Sequence, residues 1–151
     1  MRMIERLHGI LVERHPTFAV IECGGVGYGV QISARTGERL PAEGTEITLL
    51  THLVVREDAM ELFGFADTQE KELFLSMITV NGVGPKTAQR ILSSVSPGDF
   101  LSIIARGDKA ALGKIKGKRA CVQIFFVCEA WITEMNVRID KTWCHHQTCD
   151  I

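Results

Sequence analysis

The chain has 151 residues, 46% of them hydrophobic and 23% charged, with a formal net charge of −1. That balance supports a folded core and argues against wholesale disorder, and no apolar run approaches the roughly 18 residues a membrane-spanning helix needs. Charged residues in Met1-Arg2-Met3-Ile4-Glu5-Arg6 stand where a signal peptide would have its apolar region, so a soluble, cytoplasmic protein is expected.

Strand character dominates the first 66 residues. Residues 4–12 read as a β-compatible run broken at Gly9, and residues 17–23 are rich in β-branched and aromatic side chains. Gly24-Gly25 marks a turn, after which Tyr28, Val30 and Ile32 alternate. A second turn is expected at residues 41–44. A long strand follows over residues 46–55, and residues 59–65 pair back on it across Arg56-Glu57-Asp58. Five short strands with glycine turns suggest a small barrel or sandwich.

After Gly64 the apolar period changes from two to 3.6. Asp67 and Glu70 stand at capping-box spacing before Leu73, Phe74, Met77 and Ile78. That helix is expected to end at Asn81-Gly82, and a second one to run from Pro85 through Leu92. Ser96-Pro97-Gly98-Asp99 opens a third helix carrying Phe100, Leu101, Ile103 and Ile104, and Asp108 caps a fourth with Ala111, Leu112 and Ile115. The predicted class is α+β, an all-β unit followed by a helical one.

Charge is unevenly distributed along this plan. Residues 1–66 hold 6 Lys/Arg and 9 Asp/Glu, residues 67–120 hold 9 and 5, and residues 121–151 hold 2 and 4. The basic surplus therefore surrounds Asn81-Gly82-Val83-Gly84-Pro85-Lys86-Thr87, and a local basic patch attracts phosphates even on a neutral chain. At this segment Pro85 starts a helix at no hydrogen-bonding cost, and the glycines admit a second backbone at close range. The free first-turn amides and the helix dipole favour an anion. Lys86 adds a cation. Asn81, Gly82, Val83, Gly84, Lys86 and Thr87 are accordingly the candidate phosphate-binding residues, and such a site does not read base sequence. A plain tight turn between helices is the bland alternative. Pro85 before Lys86-Thr87 breaks a Walker A pattern, and the glycines at 24–29 precede a strand where a dinucleotide fingerprint needs a helix.

Gly24-Gly25-Val26-Gly27-Tyr28, the segment from Thr51 to Ala59, Leu62-Phe63-Gly64-Phe65 and Asn81-Gly82-Val83-Gly84-Pro85-Lys86 together resemble the RuvA family. These are the Holliday-junction-binding subunits of bacterial branch-migration complexes. The resemblance runs nearly continuously from about Met3 to Lys116. It implies an oligonucleotide-binding (OB) barrel over residues 1–66 and two helix-hairpin-helix motifs over residues 67–120. It further implies a homotetramer that holds a four-way junction open on a basic face for a RuvB-type hexameric ATPase, with a RuvC-type resolvase as a further partner. The implied setting is homologous recombination and DNA repair within the SOS response. The family is the non-ATPase subunit of a helicase complex, so neither a catalytic site, a cofactor nor a metal is expected on this chain. Glu57 and Asp58 match the family's acidic pin, whose carboxylates push phosphates aside at the crossover. The rival expectation makes these two acids the metal ligands of a structure-selective nuclease. Against it, adjacent strand residues point to opposite faces, and no further acid completes a two-metal site.

The resemblance fails near the second hairpin. A Gly-hydrophobic-Gly turn is expected there, but the chain has Lys116, Gly117, Lys118 and Arg119, as though two turn residues were missing. Residues 121–151 are read as a divergent tail in which residues 121–128 have β character where the family has helix, and no counterpart of the motor-docking domain is expected. Two readings of the tail stand: a divergent ending, or an out-of-frame product, which the abrupt change in Cys, Trp and His usage favours. The alternative to a motor-coupled scaffold is then a DNA-binding module that does not recruit the motor. Cys144, His145, His146 and Cys149 are of zinc-ligand type but too crowded to complete a site without a distant cysteine.

Overall fold

The computed structural model describes residues 3–114, so the expectations for Ile115, for the second hairpin (Lys116, Gly117, Lys118, Arg119) and for the tail fall outside the described residues. Five strands, β1 (Arg6–His15), β2 (Phe18–Cys23), β3 (Val26–Ile32), β4 (Glu46–Val55) and β5 (Met60–Phe65), close a barrel in the order β1-β2-β3-β5-β4. All neighbours are antiparallel except β3 and β5, which run parallel through Gln31↔Phe63 and Ile32↔Gly64. This is the OB-type arrangement. The β2–β3 hairpin turns on Gly24 and Gly25, both at positive φ, with Cys23 opposite Val26, the geometry that a two-residue hairpin favours.

Two features of the barrel differ from the sequence expectation. Gly9 does not break the first strand: β1 runs on to His15, and a Cβ at Gly9 would lie 2.1 Å from the Glu22 carbonyl oxygen. The glycine there permits a close approach of β2's backbone. The second difference is a short helix, α1 (Ala34–Arg39), inserted between β3 and β4. Ser33 caps it by accepting from the Thr36 amide at 3.1 Å. Six residues with a glycine inside are too few for an apolar period to show.

Period-two alternation divides β4 and β5 between two cores. Leu49 and Leu62 join Leu7, Leu11, Ala19, Ile21, Val30, Ile32 and Leu40 inside the barrel. Phe63 and Phe65 point outward and enter a second core with Phe74, Met77, Ile91, Leu92, Phe100 and Ile104. Phe74 is the hub of this second core. Its ring centroid lies 5.2 Å from Phe63 and 4.8 Å from Phe65. Helix α2 (Thr68–Ile78) thus packs on the outer face of β4 and β5, α3 (Pro85–Ser94) and α4 (Pro97–Ala105) pack against α2 to complete this core, and α5 (Lys109–Lys114) follows α4.

A buried polar network reinforces the joint. Asp67 caps α2 as expected, accepting from the Glu70 amide at 2.8 Å. The reciprocal half of the capping box does not form. The Glu70 carboxylate is 4% exposed and turns to the barrel instead. It accepts from Ser33 Oγ, from Thr36 Oγ1 at 2.6 Å and from the Ala66 amide at 3.3 Å. Arg39 and Asp67 pair beside it at 2.6 Å. Burying a carboxylate is costly unless its lone pairs are met by donors, so α1 and α2 are held in one geometry.

Candidate nucleic-acid interface

The connection from α2 to α3 is built by residues whose side chains face opposite ways. Helix α2 ends at Ile78, three residues before the expected Asn81, and Thr79 closes it in right-handed backbone. The turn proceeds through bonds from the Val80 amide to Met77 O at 3.1 Å and from the Val83 amide to Val80 O at 3.0 Å. Gly82 has φ +85°, a left-handed conformation that side chains disfavour by about 1–2 kcal/mol. Val80 and Val83 are buried and belong to the outer core, whereas Asn81 and Gly82 are exposed. Val83 therefore anchors the turn from below and does not face solvent with its neighbours, which the sequence pattern alone did not separate.

Gly84 is different again. Its φ of −84° suits any residue, and a Cβ placed on it meets no atom within 4 Å. Nothing within the described residues demands glycine there. It leaves the start of α3 bare on its outer side.

The start of α3 carries no side-chain cap, while α2 is capped by Asp67, α4 by Ser96 and α5 by the Asp108 carboxylate, which accepts from the Ala111 amide. Gly84 O accepts from the Ala88 amide at 3.0 Å, so the helical ladder begins there. Pro85 has no N–H, and helix geometry leaves the Lys86 and Thr87 amides without an intrahelical acceptor. Uncapped amides at the positive end of a helix dipole suit an anion.

Lys86 stands at this helix start with its side chain 72% exposed, and its Nζ lies 2.8 Å from Glu61 Oε1. Arg90, one turn further along α3, is also exposed. Not all of the basic surplus lies on this surface. Lys71 is drawn in, with a side chain 12% exposed and its Nζ 2.6 Å from Glu5 Oε2. The position of α3 is fixed from the barrel: Ser93 Oγ accepts from the Ala34 amide at 2.9 Å and donates to Gln89 O. Glu61, Arg90 and Ser93 were not singled out by sequence. Only Arg90, four residues after Lys86, carried a signal that could have found it.

Glu57 and Asp58 occupy the tip of the β4–β5 hairpin, both exposed, where the Arg56 amide bonds Ala59 O at 2.8 Å and closes the turn. Below the tip, Val55 and Met60 face one another in register and are 63% and 69% exposed. The hairpin thus extends past the barrel core. Its β5 arm carries Glu61, which links the acidic tip to the start of α3 through Lys86.

Comparison with known proteins agrees with this division. A family model described as RuvA N terminal domain matches residues 3–64, and one described as SAM-like helix-hairpin-helix tandem matches residues 74–119. The Holliday junction branch migration complex subunit RuvA of Tolumonas auensis is 42% identical over 146 residues, covering 95% of this chain and 67% of that protein. The proteins of the same description from Acidobacterium capsulatum and Cronobacter sakazakii are 49% and 48% identical over 115 residues. Those alignments cover 76% of this chain and 58% and 57% of the two relatives. The chain therefore spans about two thirds of the first relative and less than three fifths of the other two.

Proposed function

The chain belongs to the RuvA family, and from that premise we propose that it binds four-way junction DNA through the sugar-phosphate backbone and holds it for branch migration by a partner motor. The observation that carries this reading is the start of α3. Two amides without intrahelical acceptors, an exposed Lys86 and a Gly84 with no internal reason to be glycine converge on one spot. That spot fits a phosphate oxygen. It offers nothing that distinguishes one base from another.

On this reading residues 1–66 present the acidic tip and residues 67–120 grip the arms. Helix-start amides at the backbone clamp hold duplex DNA without regard to sequence. Glu57 and Asp58, exposed on a projecting hairpin, repel phosphates at the crossover and keep strands apart there. Four copies of the chain arranged about the junction would supply one clamp for each arm and converge the acidic tips at the centre. Lys116, Gly117, Lys118 and Arg119 would contribute a second backbone contact. A RuvB-type hexameric ATPase supplies the motion in this scheme and a RuvC-type resolvase acts on the same junction, so this chain works as a scaffold in recombination and repair.

The test compares binding of a four-way junction with binding of a linear duplex of the same sequence, by gel shift at several salt concentrations. Junction binding should be at least tenfold tighter, and both affinities should fall steeply with salt. Equal affinity for the two DNAs would overturn the junction reading while leaving backbone binding in place.

A further inference from the structure

We propose that Glu61 is an intramolecular competitor for the phosphate at Lys86 and so sets how strongly the first hairpin holds DNA. The inference rests on the phosphate-clamp reading above and concerns a residue of the β4–β5 hairpin, outside the helical hairpin formed by α2 and α3. Along β5, residues 61, 63 and 65 share the outer face: Phe63 and Phe65 are buried under the helices, and Glu61 is the last of the series, at the rim where α3 begins. The Glu61 side chain is 22% exposed and its carboxylate meets the Lys86 ammonium at 2.8 Å. A carboxylate and a phosphate present the same feature to a lysine, an anionic oxygen accepting a charge-assisted hydrogen bond.

In the free protein, then, Lys86 already has an anionic partner. A DNA phosphate approaching the α3 amides must draw the ammonium away from Glu61 and must also come near the Glu61 charge. Both effects oppose binding. Glu61 follows the acid pair at the tip on the same hairpin, four residues after Glu57 and three after Asp58, so the negative charge of the hairpin extends toward the clamp. The pair is partly exposed, and exposed ion pairs are weak, so a phosphate that also gains the α3 amides displaces it readily. A phosphate that touches only Lys86 does not. Glu61 thereby favours DNA seated fully on the hairpin over DNA that only brushes it.

The test uses the full chain with four proteins: wild type, Glu61→Gln, Lys86→Met and the double variant. Affinities for a labelled four-way junction and a labelled duplex are read by fluorescence anisotropy at low salt, with circular dichroism melts confirming that each protein is folded. Glu61→Gln keeps the side-chain shape and is expected to tighten binding roughly threefold, on the scale of a partly exposed ion pair. The gain should shrink as salt rises, and should vanish in the Lys86→Met background. No gain, or weaker binding, in Glu61→Gln would overturn the proposal. An equal gain with and without Lys86 would also overturn it, by showing general repulsion in place of competition for that lysine. A wild-type protein that binds neither DNA would retire the phosphate-clamp reading and this inference together, whereas wild-type binding with an unchanged Glu61→Gln retires only the inference.

Discussion

Replacing Gly84 with alanine separates binding from folding. At Gly84 the backbone φ of −84° accommodates alanine and the new methyl has no neighbour within 4 Å, so no strain or clash opposes it. Alanine is a poorer N-cap than glycine by several tenths of a kcal/mol to about 1, while the stiffer unfolded chain returns about 0.4–1 kcal/mol. The two nearly cancel, and the melting temperature should move by less than about 5 °C. DNA meets a different surface. The methyl stands on the outer side of the turn, where a phosphate must come within hydrogen-bonding distance of the Lys86 and Thr87 amides. Weakening one charge-assisted contact there costs about 1.5–3 kcal/mol, or at least tenfold in affinity. Gly82→Ala is the control of opposite character. Its φ of +85° makes alanine destabilising by about 1–2 kcal/mol, visible in the melt. Anisotropy titrations with thermal melts on both variants measure the two effects. A Gly84→Ala protein that melts like wild type and binds junction DNA equally well would refute the reasoning, because the outer side of the turn would then not face the DNA.

Other perturbations probe separate parts of the account. Lys86→Met should weaken junction and duplex binding alike and reduce the slope of log affinity against log salt by about 0.9, the value of one phosphate contact; an unchanged slope would remove Lys86 from the interface. Glu70→Ala should cost about 2–3 kcal/mol in urea denaturation, because Ser33, Thr36 and the Ala66 amide lose a buried acceptor. A loss below about 0.5 kcal/mol would mean that the network does not hold the barrel to the helices. Glu57→Gln with Asp58→Asn should tighten binding to linear duplex more than to junction at low salt and so narrow the preference between them. An unaltered preference would deny the acidic tip its role at the crossover.

Much of the architecture was legible because local signals agreed with the packing. The β4 limits, the Gly24-Gly25 turn and the caps at Asp67, Ser96 and Asp108 all stand where the residue types pointed. What stayed hidden depended on contacts distant in sequence. Helix α1 is too short for a period, and its role lies in bonds to Glu70 and Ser93 that no local pattern announces. Glu70 looked like a capping-box acid, and the barrel's hydroxyls out-competed the α2 start for it. Val83 stands among the candidate phosphate-binding residues because glycines flank it, yet the turn folds its side chain into the Phe74 core. The Lys86–Glu61 pair joins residues 25 positions apart and exists only because β5 and the α3 start meet at one rim.

The most direct test of the central claim is amide hydrogen exchange across residues 81–88, with and without a saturating four-way junction. The uncapped amides of Lys86 and Thr87 exchange freely in the isolated protein on this account, and bound phosphate should protect them at least tenfold, with β2 and β3 unchanged. Junction binding that leaves residues 81–88 unprotected, and slows exchange elsewhere instead, would contradict it.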